Sequence, residues 1–148
     1  MSENLPGAVL FACGQNCIRS PMAEGLMRHF YGHQVHVASC GVHAGGADPF
    51  VHAVMDELGI DMSEFQSKAF EDLEDTNFDL VISMSPEAHH KAMEMTRTMA
   101  IEVEYWPTFD PSAAMGSREQ ILDSYRSVRD GVIVRLKERF GSFGAYGV

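Results

Sequence analysis

The chain is 148 residues long, with 45% hydrophobic and 22% charged residues. That is the size and make-up of one globular domain whose core needs no disulfide or structural metal. Eleven Lys and Arg against 21 Asp and Glu give a formal charge of −10, which argues against nucleic acid or an anionic membrane as partner; any anion must be captured by a local device.

All three cysteines, Cys13, Cys17 and Cys40, fall in the first 40 residues. They do not suggest a disulfide framework, and the apolar run at 8–13 is too short for a leader or a membrane span. The expected location is therefore the cytoplasm.

Short apolar runs alternate with longer amphipathic ones. Residues 8–12 predict a buried strand. Residues 21–31 predict a helix, with Ser20 as N-cap, Pro21 at the first position and Glu24 as a first-turn acid. A second strand is expected at 35–39, with His36 the odd residue, and a loop at 41–46. Asp48-Pro49 repeats the cap-then-proline start for a helix at 50–58 that ends at Gly59.

A third strand at 79–84 is followed by a helix opened by Ser85-Pro86 and running to about Thr96. A fourth strand covers 101–106, a loop 107–117, and a last helix 118–140. Ile121, Leu122, Tyr125, Val128, Val132, Ile133 and Leu136 share one face of that helix. The Gly-rich tail 141–148 is expected to fray. Strands that each precede a helix give an α/β fold: a single three-layer domain, with a parallel four-stranded sheet and helices on both faces. Ligands bind such sheets at the carboxyl ends of the strands, so the loop after the first strand comes first.

That loop reads Cys13, Gly14, Gln15, Asn16, Cys17, Ile18, Arg19, Ser20. Between a buried strand and a helix start, its backbone N–H groups and the helix dipole form an anion cradle. Gly14 and Asn16 tolerate left-handed backbone angles, and Arg19 offers a planar fork for two oxyanion oxygens. The field that binds an anion also favours thiolate at Cys13, on the cradle floor, where it is placed for in-line attack on a bound phosphate. The bland alternative makes Cys13 a small apolar residue ending a strand.

The stretch 9–24 resembles the low-molecular-weight protein tyrosine phosphatase family, which carries a Cys-x5-Arg-Ser-Pro loop after the first strand. Ser39-Cys40-Gly41, Gly59-Ile60-Asp61-Met62-Ser63, the strand 79–84 and Asp110-Pro111 extend the resemblance. It implies a sheet of order 2-1-3-4, Cys13 as nucleophile, and phosphate held by Arg19 and by Gly14, Gln15, Asn16, Cys17, Ile18 and Ser20. It further implies that the Ser20 hydroxyl stabilises the thiolate and that Asn16 braces the loop.

Two features depart from the family. Gln15 stands where a Gly is usual. Ile18 stands where a second Cys can form a protective disulfide with the nucleophile, while Cys17 sits one place earlier.

Phosphoryl transfer also needs an acid for the leaving oxygen. Asp48 has an N-cap role to fill, whereas Asp110 lies in the 107–117 loop, where the resemblance places the general acid. Ser112, Ala113 and Ala114 follow it instead of ring-stacking aromatics, and His43 is the ring on the opposite loop. Trp106, Phe109 and Tyr105 are expected to pack in the core. His33 with His36, and His89 with His90, lack ligand-spaced partners, so no metal and no organic cofactor is expected.

The expected activity is cysteine-dependent hydrolysis of a phosphoprotein, above all phosphotyrosine, or of a small phosphate ester, through a cysteinyl-phosphate. One alternative is arsenate reduction, which on this fold relays a disulfide through further cysteines. None follows Cys40, leaving a relay through Cys13 and Cys17. The other is a phosphate-sensing module without catalysis.

Overall fold

The computed structural model describes residues 5–74 and 77–141. Four strands, β1 (Ala8–Cys13), β2 (His36–Gly41), β3 (Leu80–Ser83) and β4 (Glu102–Tyr105), alternate with four helices. These are α1 (Arg19–Tyr31), α2 (Pro49–Asp56), α3 (Pro86–Met95) and α4 (Arg118–Phe140). The sheet is parallel throughout, in the order β2-β1-β3-β4. Fold class and strand order are those expected from the sequence; the tail beyond Gly141 lies outside the described residues.

β1 is central and buried along its length, as the unbroken apolar run requires of a strand covered on both faces. Val9 and Phe11 face a core shared with α1, α2 and α4, while Leu10 and Ala12 face a smaller core under α3. The chain leaves β1 toward β2 on one side and later returns to β3 on the other. The strand order therefore reverses beside the carboxyl end of β1, where Cys13 stands. Among the described residues no helix is long and apolar enough to cross a membrane.

α1 begins earlier than expected. Its N-cap is Ile18, with no side-chain cap bond, so Ser20 lies inside the helix and Glu24 falls beyond the first turn. The Ser20 hydroxyl is engaged elsewhere, as described below. The segment between α2 and β3, assigned no element in the sequence, crosses the end of β2, makes one parallel bridge, Gly41 to Ala69, and forms a short 3-10 turn at Phe70–Asp72.

α4 buries Leu122, Tyr125, Val128, Val132, Leu136 and Phe140. It also buries Arg129, which donates to the Val54 carbonyl at 2.8 Å and to Glu57 at 2.7 Å. Arg126 grips the same carboxylate at 2.8 Å, which fastens α4 to the end of α2. Near the middle of α4 stands Gly131, where an added Cβ would meet no atom within 4 Å. A glycine inside a helix costs about 0.5–1 kcal/mol relative to alanine, and no close packing requires this one.

Hydrogen bonds from Arg126, then Arg129, hold the Glu57 carboxyl down at about 2, against an ordinary 4.5. A depressed folded pKa stabilises the fold above the unfolded value, and that stability is lost as pH falls through the folded value. Urea melts should show wild type ahead of Glu57→Gln at pH 6, with the gap closing as pH drops from 4.5 toward 2. A gap independent of pH would mean the two arginines leave this carboxyl unperturbed.

Candidate active site

Cys13 closes β1 and Arg19 opens α1, so the loop between them is only five residues long. Its outer side is fully engaged. The strand direction of β2 continues past Gly41, where Val42, His43 and Gly45 donate to the carbonyls of Cys13, Gly14 and Gln15 at 3.1, 2.9 and 2.6 Å. The Asn16 carbonyl accepts from the Ser67 hydroxyl at 2.8 Å. Four successive carbonyls therefore point their negative ends away from the loop interior. The uncapped start of α1 leaves its first N–H groups free to face the same space. Gly41 permits the close approach, since a Cβ there would sit 2.6 Å from the Asn16 backbone nitrogen.

Asn16 shapes the turn. Its φ of 49° is the one positive value at a non-glycine among the described residues, a conformation asparagine tolerates better than most. Fully buried, it donates from Nδ2 to the Ser20 and Ser39 hydroxyls, both at 3.0 Å, and accepts from the Lys68 backbone N–H at 2.8 Å. Ser39 in turn donates to Glu24, which is paired with Arg28.

Cys13 Sγ lies 2.9 Å from Ser20 Oγ. That hydroxyl already accepts from Asn16, and its proton has two destinations, Cys13 and the Cys40 carbonyl at 3.3 Å. A thiolate is acceptor only, so when Cys13 ionises the proton turns to sulfur; such charge-assisted bonds contribute about 1.5–3 kcal/mol. All three cysteines are free thiols. Burial, and then the neighbouring Cys13 charge, push the half-buried Cys17 thiol up to about 11. Burial raises Cys40 as well.

Arg19 is held from the other side. It donates to the Thr108 carbonyl at 3.1 Å and to that of Met84 at 3.5 Å, and its Nη2 lies 3.8 Å from Asp110 Oδ2. The other Asp110 oxygen caps a 3-10 turn at Pro111–Ala113 through the Ser112 N–H, at 3.0 Å. The half-exposed carboxylate thus stands beside Arg19 at the end of the sheet where Cys13 sits. Asp48 caps α2, as expected, through the Phe50 N–H at 2.8 Å. Its second oxygen accepts from the Tyr125 phenol at 2.9 Å.

The remaining loop residues divide by role. The Gln15 side chain is exposed against Gly45, whereas the Ile18 side chain belongs to the core, leaving only its backbone to the cradle. Trp106 packs edge-on to Phe11, as expected, but Phe109 is 68% exposed and Tyr105 39%, contrary to the core role expected of them. Each sits at or beyond the end of β4, the outer strand, and the Tyr105 ring stacks on His89, with 4.7 Å between centroids, instead of entering the core.

Sequence reasoning missed Ser39, Ser67, Lys68 and Glu24 as braces of the loop. Only the Ser39-Cys40-Gly41 match signalled any of them. Among the described residues no three His, Cys, Asp or Glu side chains gather as a metal site would require.

A sequence model of the family described as low molecular weight phosphotyrosine protein phosphatase matches residues 8–141. An arsenate reductase of Bacillus subtilis is 35% identical over 130 residues, covering 88% of this chain and 92% of its own. Among solved structures, an arsenate reductase in its oxidized state superposes with a TM-score of 0.75 at 26% identity, covering 92% of this chain and 98% of that one. A low molecular weight protein tyrosine phosphatase from T. tengcongensis gives 0.69 at 27% identity, covering 89% and 98%.

Removing the Asn16 side chain strips partners from two buried hydroxyls and the half-buried Lys68 N–H, and leaves a Cβ residue in a left-handed turn. Asn16→Ala should lower stability by about 2–4 kcal/mol in urea melts, whereas Asn16→Gly, relieved of the backbone strain, should lose less. Equal losses would show that only the hydrogen bonds matter.

Proposed function

The chain belongs to the low molecular weight phosphotyrosine protein phosphatase family, and on that premise we propose that it is a thiol-dependent arsenate reductase. Similarity to an arsenate reductase along nearly the whole of both chains is the observation that carries this choice over phosphotyrosine hydrolysis. The cradle suits the substrate: arsenate and phosphate are tetrahedral oxyanions of similar size and charge, and Arg19 with the N–H groups from Gly14 to Ser20 would hold either.

In the first step the Cys13 thiolate attacks arsenic. An As–S bond forms, and an arsenate hydroxyl departs as water on protonation by Asp110. In the second, another thiolate attacks Cys13 Sγ. An S–S bond forms, the As–S electron pair stays on arsenic, and arsenite leaves. That second thiol comes from outside the chain. Cys40 is fully buried, and the Cys17 thiol, raised to about 11, is rarely ionised near neutrality. A further external thiol then restores Cys13.

The placement of Asp110 favours a second reading, phosphomonoester hydrolysis. The same carboxyl beside Arg19 would protonate a leaving ester oxygen and then activate the water that hydrolyses the cysteinyl-phosphate. Phosphotyrosine, phosphoarginine and small esters belong to this reading.

One assay pair separates the two. Freshly reduced protein is given arsenate with glutathione or a dithiol, and separately p-nitrophenyl phosphate. Arsenite should form with kcat/KM at least about tenfold above ester hydrolysis, each tenfold being worth about 1.4 kcal/mol. Cys13→Ser should abolish both activities. Asp110→Asn should slow ester hydrolysis by about 100-fold or more, and Cys17→Ser should leave arsenite formation nearly unchanged. No arsenite with any thiol, beside brisk ester turnover, would transfer the conclusion to the phosphatase reading.

A further inference from the structure

A cavity of about 250 Å³ opens between the stem of the 107–117 loop and α4. Trp106, Phe109, Val128 and Val132 give it apolar walls, and Ser127, Gly131 and Arg135 complete its α4 side. None of Cys13, Arg19 and Asp110 lines it, so it is separate from the cradle.

Three observations bear on what it holds. Gly131 lies inside a 23-residue helix, where glycine is disfavoured. An added Cβ would meet nothing, so the residue serves no close packing and instead leaves this wall open. Arg135 is the cation of the site, with its guanidinium 5.7 Å from the centre of the Trp106 ring and no ion-pair partner among the described residues. An unpaired cation beside apolar walls, in a chain of charge −10, is complementary to a ligand with a flat apolar body and one anionic group.

The third observation is a connection. Residues 107–109 form one wall, the Thr108 carbonyl in that stretch accepts from Arg19 at 3.1 Å, and Asp110 follows directly. The wall is thus joined to the cradle arginine by one hydrogen bond, through the Thr108 carbonyl.

We propose that this cavity is an effector site for a small aromatic carboxylate or sulfonate, and that filling it weakens oxyanion binding in the cradle. The coupling half rests on the reading of Arg19 as an oxyanion ligand; the binding half does not.

The probe is 8-anilino-1-naphthalenesulfonate, followed by fluorescence on the intact chain. Wild type should bind one equivalent saturably. Gly131→Leu, which fills the cavity, and Arg135→Gln should each weaken binding by about tenfold or more, the scale expected when a pocket is filled or its charge partner removed. Gly131→Ala, with a higher urea midpoint than wild type, checks that the helix tolerates a side chain there. The affinity for inorganic phosphate, measured calorimetrically, should then fall at least about threefold when the probe is saturating.

Equal probe affinity in wild type and Gly131→Leu would overturn the site. Unchanged phosphate affinity with the probe bound would overturn the effector role. Protein that binds no phosphate at all would instead count against the Cys13 cradle, and the probe titrations would decide the cavity alone.

Discussion

The site depends on one buried amide. Asn16 holds the left-handed turn that closes the cradle, and its three side-chain bonds reach three different parts of the chain: α1 through Ser20, β2 through Ser39, and the segment before β3 through Lys68. The bond to Ser20 also fixes which way that hydroxyl can donate, and so how it answers a charge on Cys13. Loop shape and the surroundings of the Cys13 sulfur therefore share a side chain. A buried amide with unmet donors is costly, so the three partners are bound to keep their places as long as Asn16 keeps its own.

Much of this was legible in the sequence because it rests on local patterns. The apolar run of β1, the proline after each of Asp48 and Ser85, and the face of α4 are short-range signals, and they located the sheet, the helices and the loop after β1. What was not legible depends on contacts between distant residues. Ser67 and Lys68 brace Asn16 across some fifty positions, and nothing in their own neighbourhood marks them. Ser20 shows the converse: a Ser-Pro pair has the form of a helix cap, yet the hydroxyl is taken by Cys13, Asn16 and Cys40, and the helix starts without a cap. Arg129 sits on a helix face that pattern alone assigns to apolar residues. It is buried because the Val54 carbonyl and Glu57 wait there for a donor.

The two activities proposed differ in their second step more than in the grip on the oxyanion. A cradle of backbone N–H groups and one arginine does not distinguish phosphorus from arsenic by shape. A hydrolase needs water at the second step and a reductase needs a thiolate. Within this chain the candidates for the latter are Cys17, held largely in the thiol form, and Cys40, sealed in the smaller core. The question of function thereby becomes one of which soluble thiols can reach Cys13 Sγ past Arg19 and Asp110.

The ladder between 42–45 and the carbonyls of Cys13, Gly14 and Gln15 also bears on how this chain can change over evolutionary time. Exposed loops normally gain and lose residues freely. Here an insertion anywhere in 42–45 would shift the donors out of step with the carbonyls and let their negative ends turn inward. The stretch between Ala114 and Ser117 carries no such ladder. Variation in loop length among descendants of this sequence should therefore gather there, on the Asp110 side of the site, and spare the exposed stretch that looks equally permissive.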